Sequence, residues 1–174
     1  ENGIDVLGTR SSETPTTTLA LKIPAGHYYS HPDKAGTVAL MAAMLNESTQ
    51  QRSGEQMSKA LQKLGSSISI RQGARYLSVN VSTLTKNLHQ TLVLLNEKLR
   101  QPAWIESEFA RVKNNAIESA INGRKDAGYL ADSAWRQLMY GDNIASTASA
   151  GDEQSLANVE LDDLKAHYRR QVKP

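Results

Sequence analysis

Apolar and polar residues alternate along residues 17–23, with Leu19, Leu21 and Ile23 on one side, as a half-buried strand requires. Before it, Ile4, Val6 and Leu7 predict a short strand, followed by a polar stretch over residues 8–15. Pro24 and Gly26 end the second strand, and the period then changes. Val38, Leu40, Met41, Met44 and Leu45 form the bulky side of an alanine-rich helix, and Ala35, Ala39, Ala42 and Ala43 form its thin side. Asp33 is its expected N-cap. Ser53 followed by Gln56 predicts a capping box for the next helix, striped by Met57, Ala60, Leu61 and Leu64 and stopped at Gly65.

Alternation returns over residues 67–71 and 76–83, joined around Gln72 and Gly73, which predicts a hairpin with Leu77, Val79 and Val81 facing one way. The remainder is helical. Leu88, Leu92, Leu95 and Leu99 stripe one helix as far as Pro102, and Phe109, Val112, Ala116 and Ala120 stripe the next. Residues 129–140 make another helix, residues 141–151 a small-residue loop, and Leu161, Leu164 and Tyr168 mark a last helix. Paired antiparallel strands with helices banked on one face define an α+β two-layer domain. At 174 residues the chain suits a single domain, long enough to bury roughly 70% of its unfolded surface. Four strands are few for this length, and we expect residues 1–174 to be one domain of a longer chain.

Composition removes several function classes. With 20 Lys+Arg against 18 Asp+Glu the net charge is +2. No dense basic tract exists, and the tyrosines and tryptophans do not interleave with one, so nucleic acid has no platform. No apolar run approaches the ~18 residues of a membrane span. The chain has no cysteine, which excludes disulfides, thiolate metal sites and a cysteine nucleophile. That composition suits an oxidising cell-envelope compartment or periplasm, and is equally viable in the cytosol. Neither a G-x-S-x-G elbow nor a phosphate-binding glycine loop occurs.

Ala39, Ala42 and Ala43 share one face of their helix at the spacing of H-x-x-E-H zinc helices. Their methyl groups neither bind a metal nor move a proton. Around them, Asn2-Gly3-Ile4, Ala35-Gly36, and Met44-Leu45-Asn46-Glu47-Ser48-Thr49 occur in order. Leu64-Gly65-Ser66-Ser67-Ile68, Asn115-Ala116-Ile117-Glu118, Tyr140-Gly141 and His167-Tyr168-Arg169-Arg170 follow. In this order and spacing the set resembles the insulinase/pitrilysin family of zinc peptidases, which includes mitochondrial processing peptidase.

The resemblance implies a metallopeptidase-like domain whose motif helix reads Ala39, Ala42 and Ala43 where active members carry two zinc-binding histidines and a catalytic glutamate. It places Glu118, seventy-five residues after Ala43, at the third ligand position, as a remnant carboxylate. It therefore implies no catalytic residue, metal or cofactor in this domain, with zinc in the parent or partner half. The implied partners are a peptide or unfolded polypeptide and an active peptidase half or subunit, in a bacterial protein whose halves close around substrate. The alternative is a structural or assembly subunit with no role in proteolysis.

Other residues support bland roles. Glu118 lies opposite the Phe109–Ala116–Ala120 stripe, on what the period predicts to be a solvated face. His27 and His31 fall in a loop between prolines, and His89 and His167 lack partners nearby in sequence, so structural or solvent-facing roles are expected. Met41, Met44, Met57 and Met139 sit on predicted helices as packing residues.

Overall fold

The computed structural model describes residues 5–9 and 13–172. Strand β1 (Thr16–Ile23) leads through two short 3-10 turns into α1 (Thr37–Asn46) and α2 (Gly54–Lys63). The hairpin of β2 (Ser67–Gln72) and β3 (Leu77–Leu84) comes next. It is followed by α3 (Leu88–Arg100), α4 (Glu106–Gly123), α5 (Ala127–Tyr140), α6 (Glu153–Ala157) and α7 (Leu161–Gln171). The sheet is antiparallel in the order β1-β3-β2. β3, the strand with the cleanest alternation, is central, burying Leu77, Val79 and Val81 against the helices while Asn80 and Ser82 face out.

The layers follow the hydrophobic period. Val38, Leu40, Met41, Met44 and Leu45 of α1 are buried and join Phe109, Val112, Leu164 and Tyr168 in the main core. Met57 and Leu61 of α2 form a smaller cluster with Leu94. The capping box forms as the sequence predicts: Ser53 Oγ accepts from Gln56 N–H at 3.2 Å, and Gln56 Oε1 accepts from Ser53 N–H at 3.0 Å.

Three expectations are corrected. The sheet has three strands among the described residues: residues 5–9 run without regular structure, and Ile4 lies outside the described residues. Val6 and Leu7 are exposed, so their apolar character alone does not make a strand without a paired neighbour. Asp33 does not cap α1. It sits in the 3-10 turn Pro32–Lys34, and the helix starts later from Gly36, whose φ of +96° turns the chain into the helix. Third, α3 buries its leucine stripe only in part, with Leu95 and Leu99 half-buried against the main core. Thr91, Leu94, Glu97 and Lys98 are its buried residues, while Leu92 is exposed.

Those buried polar groups are all partnered, as burial demands. The hydroxyls of Thr91, Ser66 and Thr83 form a triangle with sides of 2.7, 2.8 and 3.0 Å. Glu97 accepts from Thr49 Oγ1 and pairs with Arg52. Lys98 Nζ donates to the carbonyls of Asn46 (3.0 Å) and Leu45 (3.5 Å), closing the C-terminal end of α1 with a cation where the helix dipole favours one. Burial pushes the Lys98 ammonium pKa down, and Glu47 opposes that shift.

Candidate functional site

The thin side of α1 opens onto a groove of about 430 Å³ between α1 and α4. Ala39 and Ala43 line it from α1, and Asn115, Ala116, Ser119 and Ala120 from α4. Tyr129 of α5 and the Ala150–Gly151 backbone close one end. At the other, Glu47 and Arg111 both line the groove and pair at 2.7 Å, so the carboxylate is already engaged. Ser119 Oγ donates to the Asn115 carbonyl at 2.8 Å.

The three alanines do not all share this surface. Ala39 and Ala43 are half-buried on the groove, whereas Ala42 is buried in the main core. Glu118 is exposed and does not line the groove; its neighbour Ser119 does. An α-helix advances 100° per residue, so a shift of one position moves a side chain from groove to solvent.

Residues 46–53 tie the groove to the rest of the fold, a role not apparent from local patterning. The Asn46 amide donates to the carbonyls of Ala42 and Ile70, both at 2.8 Å, and its Oδ1 accepts from Ile70 N–H at 3.2 Å. Asn46 thus blocks the outer edge of β2 with its side chain. Glu108 of α4 accepts from Ser48 Oγ at 2.5 Å. The usable signal was the run Asn46-Glu47-Ser48-Thr49, four polar residues directly after an apolar helix, with Arg52 close behind.

His27 and His167 are buried structural histidines. His27 Nε2 lies 3.1 Å from the Ile144 carbonyl and 3.0 Å from Thr147 Oγ1, fastening the loop after α5. His167 Nε2 lies 3.3 Å from the Ala25 carbonyl. Burial pushes both pKa values below the ordinary 6.5, aided by the charges of Arg136 at His27 and Arg170 at His167. In the unfolded chain both imidazoles take up protons first as pH falls, so folding stability is complete above about pH 6.5 and declines as pH drops through the folded values. Urea midpoints should therefore be flat between about pH 7.5 and 6.5 and fall from 6.5 to 5. A His27→Gln/His167→Gln double variant should lose that slope, and an unchanged slope would assign the effect to other groups.

Residues 6–148 match the family model described as insulinase, peptidase family M16. The chain belongs to this family. It is 22% identical over 156 residues to the non-peptidase homolog YmxG of Helicobacter pylori, spanning 90% of this chain and 36% of that protein. The crystal structure of a peptidase M16 inactive domain from Pseudomonas fluorescens matches with a TM-score of 0.83 at 24% identity, covering 89% of this chain and 38% of that one. The periplasmic protease PqqL of Escherichia coli matches with a TM-score of 0.79 at 17% identity, covering 92% and 18%. These likenesses establish the α+β metallopeptidase fold, and the chain spans just over a third of YmxG's length.

Insulinase-family peptidases are generally zinc-dependent, and catalytic zinc takes three protein ligands plus water. The donor set on this groove does not fit that ion. Beside the methyl groups of its alanines it offers the Asn115 amide, the Ser119 hydroxyl, Tyr129, and a Glu47 carboxylate held by Arg111. Among the described residues no cluster of three His, Asp or Glu side chains is placed to hold a metal, and no helix is long and apolar enough to cross a membrane.

Proposed function

We propose that this chain is a non-catalytic domain of a zinc-dependent metallopeptidase, forming part of the wall of a peptide-binding chamber and packing against an active half that carries the zinc. The observation that supports it is the groove itself. The α1–α4 cleft is lined by Ala39, Ala43, Asn115 and Ser119 with no imidazole, and the carboxylate on it, Glu47, is held by Arg111. A cleft lined by small residues beside hydrogen-bonding side chains suits an extended polypeptide passing through it. The names of the similar proteins, a non-peptidase homolog and an inactive domain, point the same way.

The second part of the proposal draws on α5. None of its residues is buried, and Leu130, Trp135 and Leu138 stand exposed, Leu138 at 84%. A helix with an apolar face turned outward is suited to cover by a partner surface.

The test has two readouts. Residues 1–174 alone should neither bind zinc stoichiometrically at α1 in calorimetry nor cleave a fluorogenic peptide; zinc binding with turnover would refute the proposal. In the whole protein, Ala43→Trp fills the groove and should raise the peptide KM by about tenfold, roughly 1.4 kcal/mol, with zinc content unchanged. An unaltered KM would leave the domain a scaffold with no hand in proteolysis.

A further inference from the structure

The sheet carries its charge in one place. Its three strands hold no aspartate or glutamate, although the chain has 18 acidic residues. Their charged residues are Lys22 of β1 and Arg71 of β2, and the register pairs both with Ser78 of β3. Directly paired residues project from the same face, so the two cations stand in one row across the sheet. They flank Ser78 on the face turned away from the helices, opposite to buried Leu77 and Val79. Two strand spacings separate them, about 9.6 Å between Cα atoms.

Lys22 and Arg71 are exposed, and among the described residues neither enters an ion pair. Asp5 lines the groove beside β1 together with Lys22, yet the two do not pair. Arg75, exposed in the hairpin turn, adds a third cation at this end of the sheet. The rest of the outer face is built of short side chains such as Thr18, Ala20, Ser69, Asn80 and Ser82. A face that only keeps a protein soluble mixes both signs of charge, whereas this one sets cations alone on a flat floor. The row also adjoins the α1–α4 groove. Gln72, next to Arg71, donates from Nε2 to Ser149 Oγ at 3.3 Å, and Ala150 closes that end of the groove.

We infer that this row selects acidic peptides: a chain passing along the α1–α4 groove continues over the outer face of the sheet and sets two carboxylates on Lys22 and Arg71. The inference rests on the peptide-chamber reading and gives that chamber a substrate class. A polyproline-II-like peptide, with about three residues per turn, places side chains i and i+3 on one side about 9.3 Å apart. That spacing matches the row. Lipid surfaces and nucleic acids fit it less well. A polybasic membrane contact uses about 4–8 clustered Lys/Arg, and nucleic acid calls for a longer stripe of phosphate contacts. Here Lys22, Arg71 and Arg75 stand without further cations on the strands.

The experiment uses the whole protein and reads fluorescence anisotropy of a labelled peptide with glutamates at i and i+3, and of its glutamine analogue. The glutamate peptide should bind about fivefold tighter, as two exposed ion pairs allow, and the difference should shrink as salt rises from about 0.05 to 0.5 M. Lys22→Gln with Arg71→Gln should abolish the preference and leave the glutamine peptide's affinity unchanged, with the fold checked by circular dichroism. Lys22→Arg with Arg71→Lys should keep it. Equal affinity of the unmodified protein for the two peptides would overturn the inference; if Ala43→Trp still weakens both, the chamber reading stands. Binding of neither peptide would overturn both readings. A preference that survives Lys22→Gln with Arg71→Gln would place the acid-binding groups elsewhere. Association with phosphatidylglycerol vesicles that this variant loses would assign the row to a lipid surface. Either result overturns the inference.

Discussion

Ala39→His with Ala43→His will give this domain only weak zinc binding, and adding Ser119→Glu will tighten it by about tenfold or more, or at least 1.4 kcal/mol. In the two-histidine background, Glu118→Ala will leave zinc affinity unchanged. Ala39 and Ala43 both line the groove, so imidazoles placed there reach a common point. Two nitrogens satisfy half of a tetrahedral ion and leave it labile, and a third protein ligand makes a site. Which residue supplies that ligand is a question of helix phase. Glu118 is exposed, and the α4 residues on the groove are Asn115, Ala116, Ser119 and Ala120. Ser119 stands next to a neutral neighbour at Asn115 and displaces no ion pair when changed. Ala42 is left alone because it is buried in the core, where a glutamate would be an unpaired charge. Competition with a chromophoric zinc chelator measures all four proteins. A drop in affinity on removing Glu118, or none gained from Ser119→Glu, would show that α4 presents a different face to zinc than the groove implies.

That test turns on what local sequence carries and what it does not. The capping box of α2 and the alternation of β3 are short-range patterns, and both are present as the sequence predicts. The fold class was accessible for the same reason, along with the burial of Val38, Leu40, Met41, Met44 and Leu45 on α1. The misreadings share a cause. Thr91, Glu97 and Lys98 are buried because their partners arrive from 25, 48 and 52 residues away, and hydropathy cannot register a partner that distant. Leu95 and Leu99 of α3 are half-buried against the main core while Leu92 is exposed, so a correct helical period marked a face that the described residues cover only in part. At the site, spacing located Ala39 and Ala43, and the helical period placed Glu118 on a solvated face, where it lies exposed; that Ser119 faces the groove depends on how α4 packs on α1, which the period does not carry.

The largest loss of stability will come from the seam that holds the groove's closed end. Gly36→Ala and Gly151→Ala should each cost about 2–4 kcal/mol, from left-handed strain and overpacking together. Gly36 opens α1 at φ +96°, and a Cβ there would lie 2.6 Å from Leu156 Cδ2 and 2.9 Å from the Ala150 carbonyl. Gly151 has φ +82°, and its Cβ would lie 2.6 Å from the Ala35 carbonyl and 2.8 Å from Leu156 Cγ. Backbone thus meets backbone across the start of α1, and Leu156, fully buried, cannot swing aside. The two glycines share one contact, so the double variant should lose less than the sum of the singles, because the first substitution already separates the strands of the seam. Urea unfolding followed by circular dichroism reads all three. Single variants within about 0.5 kcal/mol of the parent would mean that the 148–152 loop leaves α1 freely, and the groove would then lack its fixed wall at Ala150 and Gly151.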